Sequence, residues 1–176
     1  MDRSIEIIKD VLNRHGVDSR YDQESGFLRF LVSANDQDIR AVVVSGMGFL
    51  TIRLYYPVRF GKMRKRQGME FAVRASWPMR FGGYYFDEDT GRLAFSVYTA
   101  VDGETVDPES LERLFHMLMA FGMVRIEASL PVVEKLAQGR IKAVQAVTAI
   151  ETVRKKLEEE PRVPAELLDE HAIAVN

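Results

Sequence analysis

Apolar residues recur along this chain at two spacings, and the change from one to the other separates helices from strands. Ile5, Ile8, Val11 and Leu12 stand three or four residues apart, forming one stripe of a helix over Ser4 to His15 that Gly16 caps. Val17 to Gln23 reads as a polar extended segment leading to a turn at Glu24-Ser25-Gly26. Strands are expected over Phe27–Ala34, Ile39–Ser45 and Phe49–Tyr56, separated by turns at Asn35–Asp38 and Gly46–Gly48, with Pro57 stopping the third. Leu50, Ile52, Leu54 and Tyr56 fall on one face of that third strand, and Phe49, Thr51, Arg53 and Tyr55 on the other. The first strand sorts in the same way, with Leu28, Phe30 and Val32 opposing Phe27, Arg29 and Leu31. One face is therefore core. The other mixes aromatics with arginines, so it is either partly solvated or covered by a partner.

The period shifts again at Met63, Met69, Phe71, Ala72 and Ala75. Because Gly61 and Gly68 interrupt the early part, the expectation is a basic loop through Gly68 and then a helix of about two turns, ended by Pro78. Met79–Phe86 resumes strand character, loosened by Gly82 and Gly83 into a bulge or a close backbone approach. Asp87 to Gly91 is a turn, and Leu93, Phe95 and Val97 alternate in a fifth strand. Asp107-Pro108-Glu109 opens a long helix with a cap, a proline at its first position and an acid near the dipole. It continues past Gly122 and Pro131 to a cap at Gly139, and a further helix spans Ile141–Glu159.

This pattern is α+β: an antiparallel sheet of about five strands with helices on it, in the order α-β-β-β-α-β-β-α plus an extra C-terminal helix. Three parts are expected: a domain over 1–138, the additional helix over 139–160, and an acidic, weakly periodic tail over 161–176. The 176 residues, 47% apolar and 28% charged, are enough for a core of ordinary size. The absence of cysteine excludes disulfides and thiolate chemistry. With no signal-peptide pattern and no continuous apolar run of about 20 residues, the expected location is the cytoplasm and no membrane is expected as partner.

Charge sharpens the picture. Between Ile39 and Phe86 a single acid, Glu70, stands among nine lysines and arginines, whereas Asp87–Glu112 holds eight acids and only Arg92. Such blocks can bring two surfaces, or two copies of the chain, into register. The candidate partner-binding residues are Arg59, Lys62, Arg64, Lys65 and Arg66 of the basic segment, with Arg53 and Tyr55 beside it. They fit either an acidic protein surface or, as the less favoured reading, nucleic acid with bases stacked on aromatics.

Catalytic and metal motifs are not evident. His15, His116 and His171 lie far apart, the Asp87–Asp89 turn lacks the oxygen ligands of a calcium loop, and the glycine pairs lack the lysine and hydroxyl that complete a phosphate loop. Ser45 and Ser96 sit in no nucleophile elbow. No cofactor, metal or catalytic residue is assigned.

The stretch GYYFDEDTGRLAFSVYTAVDG, followed by DPESLERLF, resembles the YbjN family of bacterial proteins: an aromatic strand, an Asp-rich turn ending in Gly, a second strand, then a capped helix. The resemblance implies a fold like that of type III secretion chaperones, small dimers that hold partner polypeptides, and a role as a sensory transduction regulator. The basic loop before the second helix and the chain beyond Ile141 depart from the pattern. The resulting expectation is a non-enzymatic homodimer that binds an unidentified protein client, chaperone-like or regulatory. The alternatives are nucleic-acid binding through 59–66 or a small-molecule sensor.

Overall fold

The computed structural model describes residues 2–79, 82–102 and 105–159; the expected tail, 161–176, lies outside them. The chain begins with α1 (Arg3–Arg14), whose first turn is closed by the Asp2 carboxylate accepting from the amides of Ser4 and Ile5. Strands β1 (Ser19–Asp22), β2 (Phe27–Ala34), β3 (Gln37–Gly46) and β4 (Phe49–Arg59) follow as a meander. A short 3₁₀ turn (Lys62–Arg64) leads into α2 (Lys65–Ser76), then β5 (Gly83–Asp87), β6 (Arg92–Ala100), α3 (Pro108–Ala137) and α4 (Ala143–Glu159). The sheet is antiparallel in the order β1-β2-β3-β4-β6-β5.

The architecture is the α+β sheet with packed helices that the sequence leads one to expect, with local differences. The polar segment after α1 pairs with β2 as a sixth strand, because Tyr21 faces Leu28 across the register and joins the core edge. The strand β4 runs through Pro57 to Arg59. A register irregularity between Tyr55 and Arg59 takes up the missing N–H, the setting in which a strand tolerates proline. The turn before β3 is confined to Asn35 and Asp36, both at positive φ, so Gln37 and Asp38 belong to the strand.

The helix α2 starts at Lys65, a full turn before the expected point, and Gly68 is one of its buried residues. The glycine is a contact here rather than a breaker. A Cβ at this position would overlap the Phe86 ring and press on Phe60, which meet edge to face with centroids 5.4 Å apart. Gly82 explains the loosened start of β5: its φ is +77°, and any side chain would collide with the Ser96 carbonyl of the neighbouring strand.

The core lies on the face of Leu28, Phe30, Leu50, Ile52, Leu54, Tyr56 and Phe95, covered by Ile5 and Ile8 of α1, Phe71 of α2, and Leu111, Phe115 and Ile126 of α3. By length and composition α3 would pass for a membrane-spanning helix. Part of its apolar side packs within the molecule, with Leu118, Leu130, Val133 and Leu136 also buried. The same core extends to Ala143, Ala146 and Ile150 of α4.

Candidate functional site

Among the described residues the helices pack on one face of the sheet, so the alternation within each strand decides what the opposite face presents. Arg29, Val42, Arg53 and Ser96 form one cross-strand row, and Leu31, Arg40, Tyr55, Ala94 and Tyr85 the next. Leu31, Phe49, Tyr85 and Tyr98 on this open face are 39–56% exposed. Single exposed apolar residues are ordinary; here they share one surface.

Arginines lie close over aromatic rings on this face. Arg40 sits over the Tyr55 ring and Arg53 over the Tyr85 ring, each 4.6 Å from the centroid, while Arg29 lies 5.6 Å from Phe27. The Nε atoms of Arg40 and Arg53 are buried and find no hydrogen-bond partner among the described residues. The ring faces help to hold these guanidiniums in place.

The sign of the face is positive. Arg20, Arg29, Arg40, Arg53, Arg59 and Arg92 share it with Asp22, Asp38 and Asp87. Asp22 is taken up by Arg29 at 2.7 Å, and that contact first, with Ser25 after it, holds its carboxyl far below the usual range. Asp87 accepts from the Thr90 hydroxyl and amide, which lower its pKa. Arg59 and Arg92 face each other across the β4–β6 register. Burial, then the charges of Arg40 and Arg59, push the Arg92 pKa down, opposed by Tyr55 and Asp87. Arginines that raise one another's energy form a surface whose repulsion an anionic group relieves.

The structure divides the residues singled out from the sequence. Arg53, Tyr55 and Arg59 belong to the open face. The rest of the basic segment leaves the sheet. Lys65 donates its ammonium to the Glu88 and Asp89 carbonyls, tying α2 to the β5–β6 turn. The Arg64 guanidinium lies against Gly139 at the α3–α4 corner. Lys62 and Arg66 are exposed on the 3₁₀ turn and the first turn of α2. Arg40 and Tyr85, which complete the stacked pairs, went unnoticed because they are distant in sequence; only the register joins them to Tyr55 and Arg53.

The profile of the YbjN family, described as "Putative bacterial sensory transduction regulator", matches residues 4–119. The chain belongs to the YbjN family. No curated protein and no solved structure matches it. The YbjN match runs from α1 through the whole sheet and ends within α3, so the open arginine–aromatic face lies entirely inside the family region. The family description names a regulator rather than a catalyst.

Proposed function

We propose that this YbjN protein is a non-enzymatic regulator, chaperone-like in action, that works in the cytoplasm as a homodimer and holds an acidic polypeptide segment on the open face of its sheet. The observation that carries the reading is the pairing of Arg40 with Tyr55 and Arg53 with Tyr85 on a face that no helix of the described residues covers. Stacked guanidiniums offer directed donors to carboxylates, and the exposed Leu31, Phe49 and Tyr98 offer apolar contact to the same extended chain. On this reading residues 1–138 form the binding domain and 139–160 an added helix. The basic segment supports the scaffold more than it contacts the client.

Two copies of a cationic face repel each other, so the dimer contact belongs elsewhere. Trp77, at 90% exposed, lies with Val73 and Val144 on the outer side of α2 and α4, beside a cleft of about 310 Å³ lined by Arg74, Trp77, Val144, Val147 and Thr148. An exposed apolar patch of this kind suits a twofold contact.

Arginines interleaved with aromatics on a bare sheet also favour single-stranded nucleic acid, which is the second reading. Fluorescence anisotropy separates the two, using a glutamate-rich unstructured peptide and an oligothymidylate of equal charge. The peptide is expected to bind, to weaken with salt, and to lose about tenfold or more in affinity in the Arg40→Glu/Arg53→Glu double variant, a change of about 1.4 kcal/mol. Preference for the oligonucleotide decides for the second reading. Binding of neither probe contradicts both.

A further inference from the structure

The three histidines looked isolated in the sequence, but the packing of α1 on α3 brings two of them together. His15 caps the C-terminus of α1. Glu112 and His116 are four residues apart on α3 and so share a face. The His15 and His116 rings meet edge to face with centroids 5.4 Å apart. One ligand atom from each of His15, Glu112 and His116 lies within 4.8 Å of the other two, and all three residues are half-buried.

We propose that these residues form a metal site for a borderline divalent cation of the zinc class, which clamps α1 to α3 on the helical side of the molecule. Two imidazoles and one carboxylate suit Zn²⁺ and its chemical relatives Ni²⁺ and Cu²⁺ rather than Ca²⁺ or Mg²⁺, which require an all-oxygen shell. Zinc–ligand bonds near 2.0–2.1 Å place tetrahedral ligands about 3.4 Å apart. The ligand atoms, within 4.8 Å of one another, therefore need to approach by no more than about 1.4 Å to reach that spacing. Three protein ligands leave one position of the tetrahedron for water or for a group from a partner.

Arg14 competes with the ion. It donates to Glu112 at 2.6 Å, and its side chain is 61% exposed. An exposed pair of this kind is weak, so the arginine can yield the carboxylate to a metal. The competition gives the site a signature that chance histidine binding lacks.

The test is isothermal titration calorimetry of the untagged full-length chain with Zn²⁺, each variant first checked for native circular dichroism. Wild type is expected to take one ion per chain. His15→Ala and His116→Ala are each expected to weaken binding at least tenfold, and Glu112→Gln to weaken it less. Arg14→Ala, which frees the carboxylate, is expected to tighten it. Affinity should fall on acidification, since imidazole ligates only when deprotonated. Should either histidine variant misfold, Glu112→Gln and Arg14→Ala carry the test through their opposite signs. Zinc affinity unchanged in the histidine variants, or no uptake by wild type at about 1 mM, a binding free energy near −4 kcal/mol, overturns the proposal.

Discussion

Buried hydroxyls decide much of the behaviour at the residue scale. The Tyr56 hydroxyl lies 2.5 Å from that of Ser129, which in turn donates to a backbone carbonyl of its own helix turn. Tyr84 stacks beside Tyr56 with centroids 6.5 Å apart. Burial pushes both phenols above their ordinary pKa, Tyr56 furthest. An unfolded tyrosine ionises near pH 10, whereas the folded Tyr56 keeps its proton to higher pH. Unfolding therefore releases a proton on the alkaline side, and stability falls as pH rises past about 10. Urea unfolding midpoints measured from pH 8 to 11 should show this decline, and Tyr56→Phe should flatten it. At neutral pH the same variant should cost about 1 kcal/mol for the lost hydrogen bond, because Ser129 keeps its bond to the Arg125 carbonyl. A steep alkaline decline left unchanged in the variant would assign the effect to other groups.

Element by element, the most instructive case is α2. Gly68 costs the isolated helix about 1 kcal/mol relative to alanine, yet its bare backbone admits Phe86 and Phe60. Gly68→Ala improves propensity and overfills the contact, which typically costs about 1–3 kcal/mol. The net expectation is a loss of about 1 kcal/mol, or about 2–4 °C in Tm for a chain of this size, read by thermal unfolding; a stabilised variant would contradict this account of the helix. The same residue shows why the start of α2 was illegible in the sequence. Propensity treats Gly68 as a breaker, and nothing local announces that a ring from β5 will occupy the space. By contrast α1 was legible from the apolar stripe of Ile5, Ile8, Val11 and Leu12 that it buries, and α3 because Asp107 accepts from the first helical amides and Pro108 sets the opening turn. The alternation of β2, β4 and β6 was legible because a single face is covered. The strand β1 was not, having too few apolar residues to alternate, and its existence depends on β2 as template.

For the whole molecule, the candidate site was half visible. Arg53 and Tyr55 could be assigned to the non-core face by parity alone. Their stacking partners Tyr85 and Arg40 come from other strands, and the His15–Glu112–His116 cluster requires the docking of two helices. The outer patch around Trp77 carries its own prediction. Sedimentation velocity at micromolar concentration should report a dimer, and Trp77→Glu should convert it to a folded monomer. A wild-type monomer would remove the dimeric part of the proposal and leave the open face intact.

That face is best interrogated by amide chemical shifts. An ¹⁵N-labelled sample titrated with a glutamate-rich peptide should show its largest perturbations along β3, β4 and β5, at Arg40, Arg53, Tyr55 and Tyr85, with α1, α3 and α4 little changed. Perturbations centred on Lys62 to Arg66 and the start of α2, with the sheet silent, would contradict the account.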